Sequence, residues 1–235
     1  MGRVFEKRKY KMFARYDKMA KGFTRAGKEI AIAVKLGGAD PQGNSRLRVA
    51  IQNAKGINMP KDRIDAAINR AASKDEKGLE EVVYEGKAPH GIGILIECAT
   101  DNPTRTVANV RMHFNRNGGE LGKTGSLDYL FERKGVFKIK KENIDPEELE
   151  LDLIDHGADE IESDDDEIVI YTAFSDFGKM QKALEDKKIN IISSELERIP
   201  TSTVELNDEQ IAEVMTLVTK LEEEDDVQTV YHNLK

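Results

Sequence analysis

The sequence predicts an α+β protein: an N-terminal three-helix domain, a discontinuous α/β middle domain, and a ferredoxin-like βαββαβ domain inserted into the middle one. Three observations carry this reading. Charge divides sharply along the chain: Met1 to Lys74 holds 18 Lys and Arg against 6 Asp and Glu, a net +12, while the remainder holds 18 against 38, a net −20. The basic stretch places apolar residues at helical spacing between glycine stops. The acidic remainder alternates short strand patterns with helical ones. With 39% hydrophobic and 34% charged residues and one Cys among 235, the chain has the profile of a globular protein from a reducing compartment, not of a disulfide scaffold or a disordered segment.

The helical domain is expected over 1–78. Phe23, Ile30, Ala33, Val34 and Leu36 predict a helix from Phe23 to Leu36 that Gly37-Gly38 stops. Leu47, Ile51 and Ala54 predict a second, from Ser45 to Lys55, ended by Gly56. Pro60 suits the first turn of a third, whose buried stripe is Ile64, Ala67, Ile68 and Ala71. Ahead of them, Arg3 to Lys28 interleaves ten Lys and Arg with Tyr10, Phe13 and Tyr16. Basic residues beside aromatics suit phosphate contact and base stacking. The same aromatics would also serve as helix packing, and a basic arm that orders on binding satisfies both readings.

The middle domain is expected over 79–134 and 201–235. Glu81–Glu85 and Gly91–Thr100 read as strands, the second with Ile92, Ile94, Ile96 and Cys98 on one face, which makes Cys98 a small core residue. Asn102 and Pro103 cap and open a helix from Thr104 to Asn117 that buries Val107, Val110 and Phe114, and Tyr129–Phe131 reads as a return strand. Val204–Leu206, a helix from Asp208 to about Glu224 and a strand Val227–Tyr231 complete it. That tail cannot stand alone and needs the earlier strands as partners. Between them, over 135–200, Val136–Lys140, Pro146–His156, Ala158–Glu162, Glu167–Thr172, Ser175–Lys187 and Asn190–Arg198 read in the order β-α-β-β-α-β. Asp164-Asp165-Asp166 falls at the central hairpin turn and reads as a solvated acidic turn, since it lacks the Gly and distant Glu of a calcium loop.

One stretch, Asn117 to Ser126, NGGELGKTGS, ends like a phosphate-binding loop in Gly122-Lys123-Thr124, with Asn117 where the first Gly belongs. A phosphate-binding loop follows a strand and opens a helix. This one follows a helix and leads into a strand, so Gly118 and Gly119 are read as left-handed helix stops, and Gly122 and Gly125 as turn residues. Lys123, Arg105, Arg111 and Arg116 remain surface charges able to meet a polyanion. His90, His113, His156 and His232 are scattered without ligand spacing, no catalytic set appears, and one Cys cannot build a zinc site. No cofactor, metal site or catalytic residue is therefore expected. No apolar run approaches membrane-span length and no secretion signal is present, so a cytoplasmic protein is expected.

Four stretches together resemble the YebC family: VKLGGADPQGNSRLRVAIQNAKGINMPKDRIDAAI, VVYEG, ATDNPTRTVANVR and FNRNGGELGKTGSLDYLFERKGVF. The family includes the mitochondrial translational activator of cytochrome c oxidase. The likeness is specific from about Lys21 through Val136 and continues in element order beyond. It implies the same three domains, the third inserted in the second. It also implies either DNA-binding transcriptional regulation, as in YebC/PmpR-type regulators, or action on the ribosome during translation. The chain departs from the family at Gly2-Arg3-Val4-Phe5-Glu6-Lys7-Arg8, where many members have Gly-His-Ser-Lys-Trp-Ala-Asn, and at Lys87-Ala88-Pro89-His90, where a more Gly-rich segment is usual. Contacts of the N-terminal arm are therefore not carried over.

The expectation is a non-enzymatic nucleic-acid-binding regulator of gene expression. Its phosphate contacts are expected from Lys7, Arg8, Lys9, Arg15, Lys21, Arg25, Lys28, Arg46, Arg48, Lys61 and Arg63. Its partners would be rRNA, tRNA or the ribosome, with promoter DNA as the close alternative, because no helix-turn-helix is evident. Two readings from other classes stay open: a protein-interaction adaptor using the acidic domains, and a nucleotide hydrolase using Gly122 to Ser126.

Overall fold

The computed structural model describes residues 3–73, 78–142, 144–164 and 166–235, with side chains from residue 19 onward. It is an α+β chain of two compact units, meeting in sequence at Leu79 and Glu80.

The first unit holds three helices: α1 (Arg3–Gly37), α2 (Ser45–Gly56) and α3 (Lys61–Ala72). Ile30, Ala33 and Val34 of α1, Leu47, Ala50 and Ala54 of α2, Met59, and Ile64 and Ala71 of α3 form its core. The sequence placed the first helix from Phe23, with an arm ahead of it. Instead the backbone is helical from Arg3, because the Lys-, Arg-, Met- and Ala-rich run contains no Pro and consists largely of good helix formers. Gly22 and Gly27 lie inside the helix, each at a cost of about 1 kcal/mol relative to Ala. Gly37 and Gly38 end α1, Gly38 at φ 87° with its N–H on the Val34 carbonyl. The side chains of Tyr10, Phe13 and Tyr16 lie outside the described residues. Phe23 packs on the core.

Buried Asn44 joins α1 to α2. Its Oδ1 accepts from the Leu47 N–H at 3.0 Å, capping α2, while its Nδ2 donates to the carbonyls of Ala33 and Gly38 at 2.7 and 2.8 Å. One side chain thus satisfies orphan groups at both helix ends. A Cβ at Gly37 would lie 2.7 Å from the Asn44 amide, which explains glycine there.

The second unit carries two antiparallel sheets. In chain order it runs β1 (Glu80–Lys87), β2 (Gly93–Thr100), α4 (Pro103–Arg116), β3 (Glu120–Leu121), β4 (Phe131–Lys140), α5 (Pro146–Ile154), β5 (Ala158–Ser163), β6 (Glu167–Ala173), α6 (Phe177–Asp186), β7 (Ile191–Pro200), α7 (Asp208–Glu222) and β8 (Val227–His232). The first sheet has order β3-β1-β2-β8, so a strand from late in the chain pairs with β2. Ile94, Ile96 and Cys98 on one face of β2 pack under Val110 and Phe114 of α4 and Val214, Leu217, Val218 and Leu221 of α7. Cys98 is a core residue, as its alternation predicts. The second sheet has order β5-β6-β4-β7, the ferredoxin-like arrangement, with Phe137, Ile139, Ile168 and Ile170 packed on Leu149 and Leu153 of α5 and Met180 and Leu184 of α6.

Three local expectations are corrected. Tyr129–Phe131 is no separate strand: Asp128–Leu130 forms a short 3-10 turn, and β4 then runs unbroken from Phe131. The strand expected from Val136 runs instead through Gly135, where a Cβ would come within 2.7 Å of Thr172 Cγ2 and 2.8 Å of Phe177 Cδ2. Inside the loop that read as pure turn, Glu120 and Leu121 pair with Lys87 and Gly86 as β3. Gly119 is there for space and not for a left-handed φ, since a Cβ would sit 2.7 Å from the Lys87 carbonyl oxygen; Gly118, at φ 71°, is the left-handed one.

Candidate nucleic-acid interface

Lys21, Arg25 and Lys28 follow one another at spacings of four and three on α1, one stripe of the helix. At 100° per residue that stripe lies about half a turn away from Phe23, Ala26, Ile30 and Ala33, which face the core. Arg63 of α3 stands over the Phe23 ring, 5.7 Å from its centroid, so packing and a cation–π contact fix its otherwise exposed guanidinium. Lys61 is exposed in the first turn of α3, where the positive end of the helix dipole adds to its charge. Arg46 Nε pairs with Glu29 Oε1 at 3.0 Å, and Arg48 Nη1 donates to the Pro41 carbonyl at 3.2 Å. Both guanidiniums therefore have internal contacts as well as solvent exposure. Lys7, Arg8, Lys9 and Arg15 fall on α1, and their side chains lie outside the described residues.

In the second unit the NGGELGKTGS loop is organised by a residue that sequence reasoning passed over. Glu85 of β1 is 2% exposed, and its carboxylate accepts from the Gly125 N–H at 2.7 Å, the Ser126 hydroxyl at 3.3 Å and the Leu127 N–H at 2.6 Å. Its backbone carbonyl accepts from the Gly122 N–H at 2.7 Å. Donors that a phosphate-binding loop would aim at a nucleotide are spent here on an internal carboxylate. Strand alternation marks Glu85 only as one polar residue among several; no sequence signal says that its charge turns inward.

The other polar groups of this unit mostly bind one another. Asp226 Oδ2 accepts from Thr100, Thr106 and Arg105 at 3.1, 2.8 and 2.8 Å, tying the start of α4 to the turn before β8. Arg105 also meets Asp101 at 2.9 Å, and its bond to Asp226 above all pushes the guanidinium pKa above its ordinary value. Arg105 is thus engaged internally, whereas Arg111 and Arg116 are exposed on α4. His90 Nε2 meets Glu213 and His113 Nε2 meets Glu224, each at 2.7 Å. Among the described residues no three His, Cys, Asp or Glu side chains form a metal-ligating group, and no helix is long and apolar enough to cross a membrane. Asp165 lies outside the described residues; Asp164 and Glu167 close the hairpin beside it.

Comparison with known proteins matches residues 3–74 to the TACO1/YebC protein N-terminal domain and residues 79–234 to the TACO1/YebC second and third domain. The chain belongs to the TACO1/YebC family. A relative from Cytophaga hutchinsonii, named a probable transcriptional regulatory protein, is 61% identical over the whole of this chain and 98% of its own length. One of the same name from Anaeromyxobacter dehalogenans is 54% identical, with both chains fully covered. The crystal structure of a conserved hypothetical protein from Aquifex aeolicus, 37% identical, superposes with a TM-score of 0.81, covering 92% of this YebC-family chain and 90% of that one.

Proposed function

We propose that this YebC-family protein is a non-enzymatic regulator of gene expression that binds nucleic acid through its helical unit. The observation that carries the proposal is the Lys21-Arg25-Lys28 stripe, set opposite the helical core in a stretch of net +12. Such a surface attracts phosphates without reading sequence. Lys61 and Arg63 add charge from α3, Arg46 and Arg48 from α2, and Lys7, Arg8, Lys9 and Arg15 along α1. Relatives named probable transcriptional regulatory proteins support the regulatory part. Structured RNA, as rRNA or tRNA on the ribosome, is the favoured target, promoter DNA the alternative, and the cytoplasm the place of action. The acidic second unit would position the molecule or contact protein. Glu85's hold on the Gly122, Gly125 and Leu127 amides argues against a nucleotide hydrolase.

The test is co-sedimentation with ribosomes from the source cells, with DNase present, across a salt series. The wild-type protein is expected to pellet with ribosomes at low salt and to be released as salt rises. A triple variant, Lys21→Glu, Arg25→Glu, Lys28→Glu, is expected to lose most binding and to lower the log–log salt slope by about two to three. Absence from ribosomes with retention on promoter DNA would transfer the assignment to transcription. Binding to neither would end the nucleic-acid reading.

A further inference from the structure

We infer that the Lys123–Tyr129 loop of the second unit is a separate contact for an unpaired nucleotide, with the base stacked on Tyr129 and the adjoining phosphate held at Lys123 and Thr124. This rests on the nucleic-acid reading above but assigns a site outside the basic helical unit. The first ground is rigidity. Glu85 fastens the loop at Gly125, Ser126 and Leu127, the Ser126 N–H closes a turn onto the Lys123 carbonyl at 3.1 Å with Gly125 at φ 84°, and Thr201 Oγ1 donates to the Tyr129 carbonyl at 3.2 Å. Burying a carboxylate is costly unless it is hydrogen-bonded, so carboxylate and loop hold each other in place.

The second ground is what the fixed loop presents. Tyr129 is 75% exposed, the most exposed large apolar side chain among the described residues, although Leu127 and Leu130 beside it are buried in the core with Leu95 and Phe131. The loop therefore has an apolar anchor without Tyr129, and the ring is left facing water. At the tip, the Lys123 and Thr124 N–H groups, the Thr124 hydroxyl and the Lys123 ammonium have no acceptor among the described residues, and both residues are exposed. The inward donors are all engaged by Glu85 and the outward ones are unspent. An aromatic face in the same loop as a cation and unspent backbone donors is the chemistry that takes a base by stacking and a phosphate by charge-assisted hydrogen bonds. Stacking needs an aromatic face and a phosphate needs a cation, so the base belongs at Tyr129 and the phosphate at Lys123 and Thr124.

The experiment is fluorescence anisotropy with the full-length protein and a labelled, unstructured single-stranded RNA, and with a duplex of equal length. Tyr129→Ala is expected to weaken single-strand binding about fivefold to a hundredfold, Tyr129→Phe to leave it near wild type, and duplex binding to be unchanged by both. Lys123→Ala is expected to weaken the single strand while lowering the salt slope by about one. Both positions, Lys123 and Tyr129, are exposed and outside the core, so thermal melting should not move, which separates contact from folding. A photo-crosslink from a 4-thiouridine oligonucleotide to the loop peptide is the direct readout. Wild-type affinity in Tyr129→Ala with single strand bound elsewhere overturns this site and leaves the nucleic-acid reading standing. Failure of wild type to bind any polynucleotide overturns both, and capture of the loop by a protein partner only, with no crosslink to RNA, overturns this one.

Discussion

Glu85 shows how much a single side chain can decide. Its carboxylate is buried and balanced only by donors from one loop. Glu85→Ala would leave the Gly125 and Leu127 N–H groups unpaired, at about 1–3 kcal/mol each. A loss of roughly 3 kcal/mol in urea unfolding of the second unit is expected, with faster amide hydrogen exchange across 122–127; wild-type stability in that variant would show that water replaces the carboxylate without cost. Glu85→Gln keeps one acceptor oxygen and should fall in between. None of this was legible in the sequence, where Glu85 is one polar residue among several in its strand. Gly118 and Gly125, by contrast, were legible because backbone conformation was at issue there, and both have positive φ; Gly119, present for space, was not.

At the scale of elements, helical stripes and strand alternation located most of the elements in this chain. Boundaries failed where space decides and pattern does not. Gly135 interrupts the apolar alternation of β4 because Phe177 and Thr172 press on that position, and Gly22 and Gly27 fail to interrupt α1 because the surrounding propensity outweighs them. The joint between α1 and α2 was also invisible, since nothing in the pattern marks Asn44 as more than a polar residue before Ser45. It does more: its amide binds Ala33 and Gly38 carbonyls as well as the α2 N-terminus. Asn44→Ala should therefore cost more than the ~1 kcal/mol of a usual cap, about 2–3 kcal/mol when the stranded carbonyls are included. Chemical denaturation of the helical unit checks this, and a loss no larger than Asn44→Asp, which keeps the cap alone, would reduce the residue to a simple cap. For the candidate interface, charge content identified the residues, but only α1's geometry put Lys21, Arg25 and Lys28 on one stripe.

Across the whole molecule the two units differ in the sign of their charge, and within the second unit the two sheets share a polar seam. Arg198 of β7 pairs with Glu97 of β2 at 3.0 Å, and Tyr231 of β8 packs against Leu95, Leu127, Leu130 and Phe131. Burial first, then the Glu97, Glu197 and Glu195 carboxylates, push the Tyr231 hydroxyl pKa well above its usual value; Tyr171, by burial and its bond to Glu162, is pushed up to about 12. Unfolded tyrosines ionise near pH 10, so above that the unfolded chain sheds protons that the folded one keeps. Stability from these groups is present below about pH 10 and is lost as pH rises toward the folded-state values. Urea midpoints from pH 8 to 11 should fall more steeply in wild type than in Tyr231→Phe or Tyr171→Phe; equal slopes would contradict the raised tyrosine values. The ferredoxin-like insertion opens at Phe131 and closes at Pro200, residues paired across β4 and β7, whereas β8 pairs with β2 from far along the chain. During synthesis the insertion can therefore close on itself while the sheet around it still waits for its last strand. Once folded, it acts as a clasp that shortens the effective loop between β2 and β8 and lowers the entropy cost of sealing the core beneath α4 and α7.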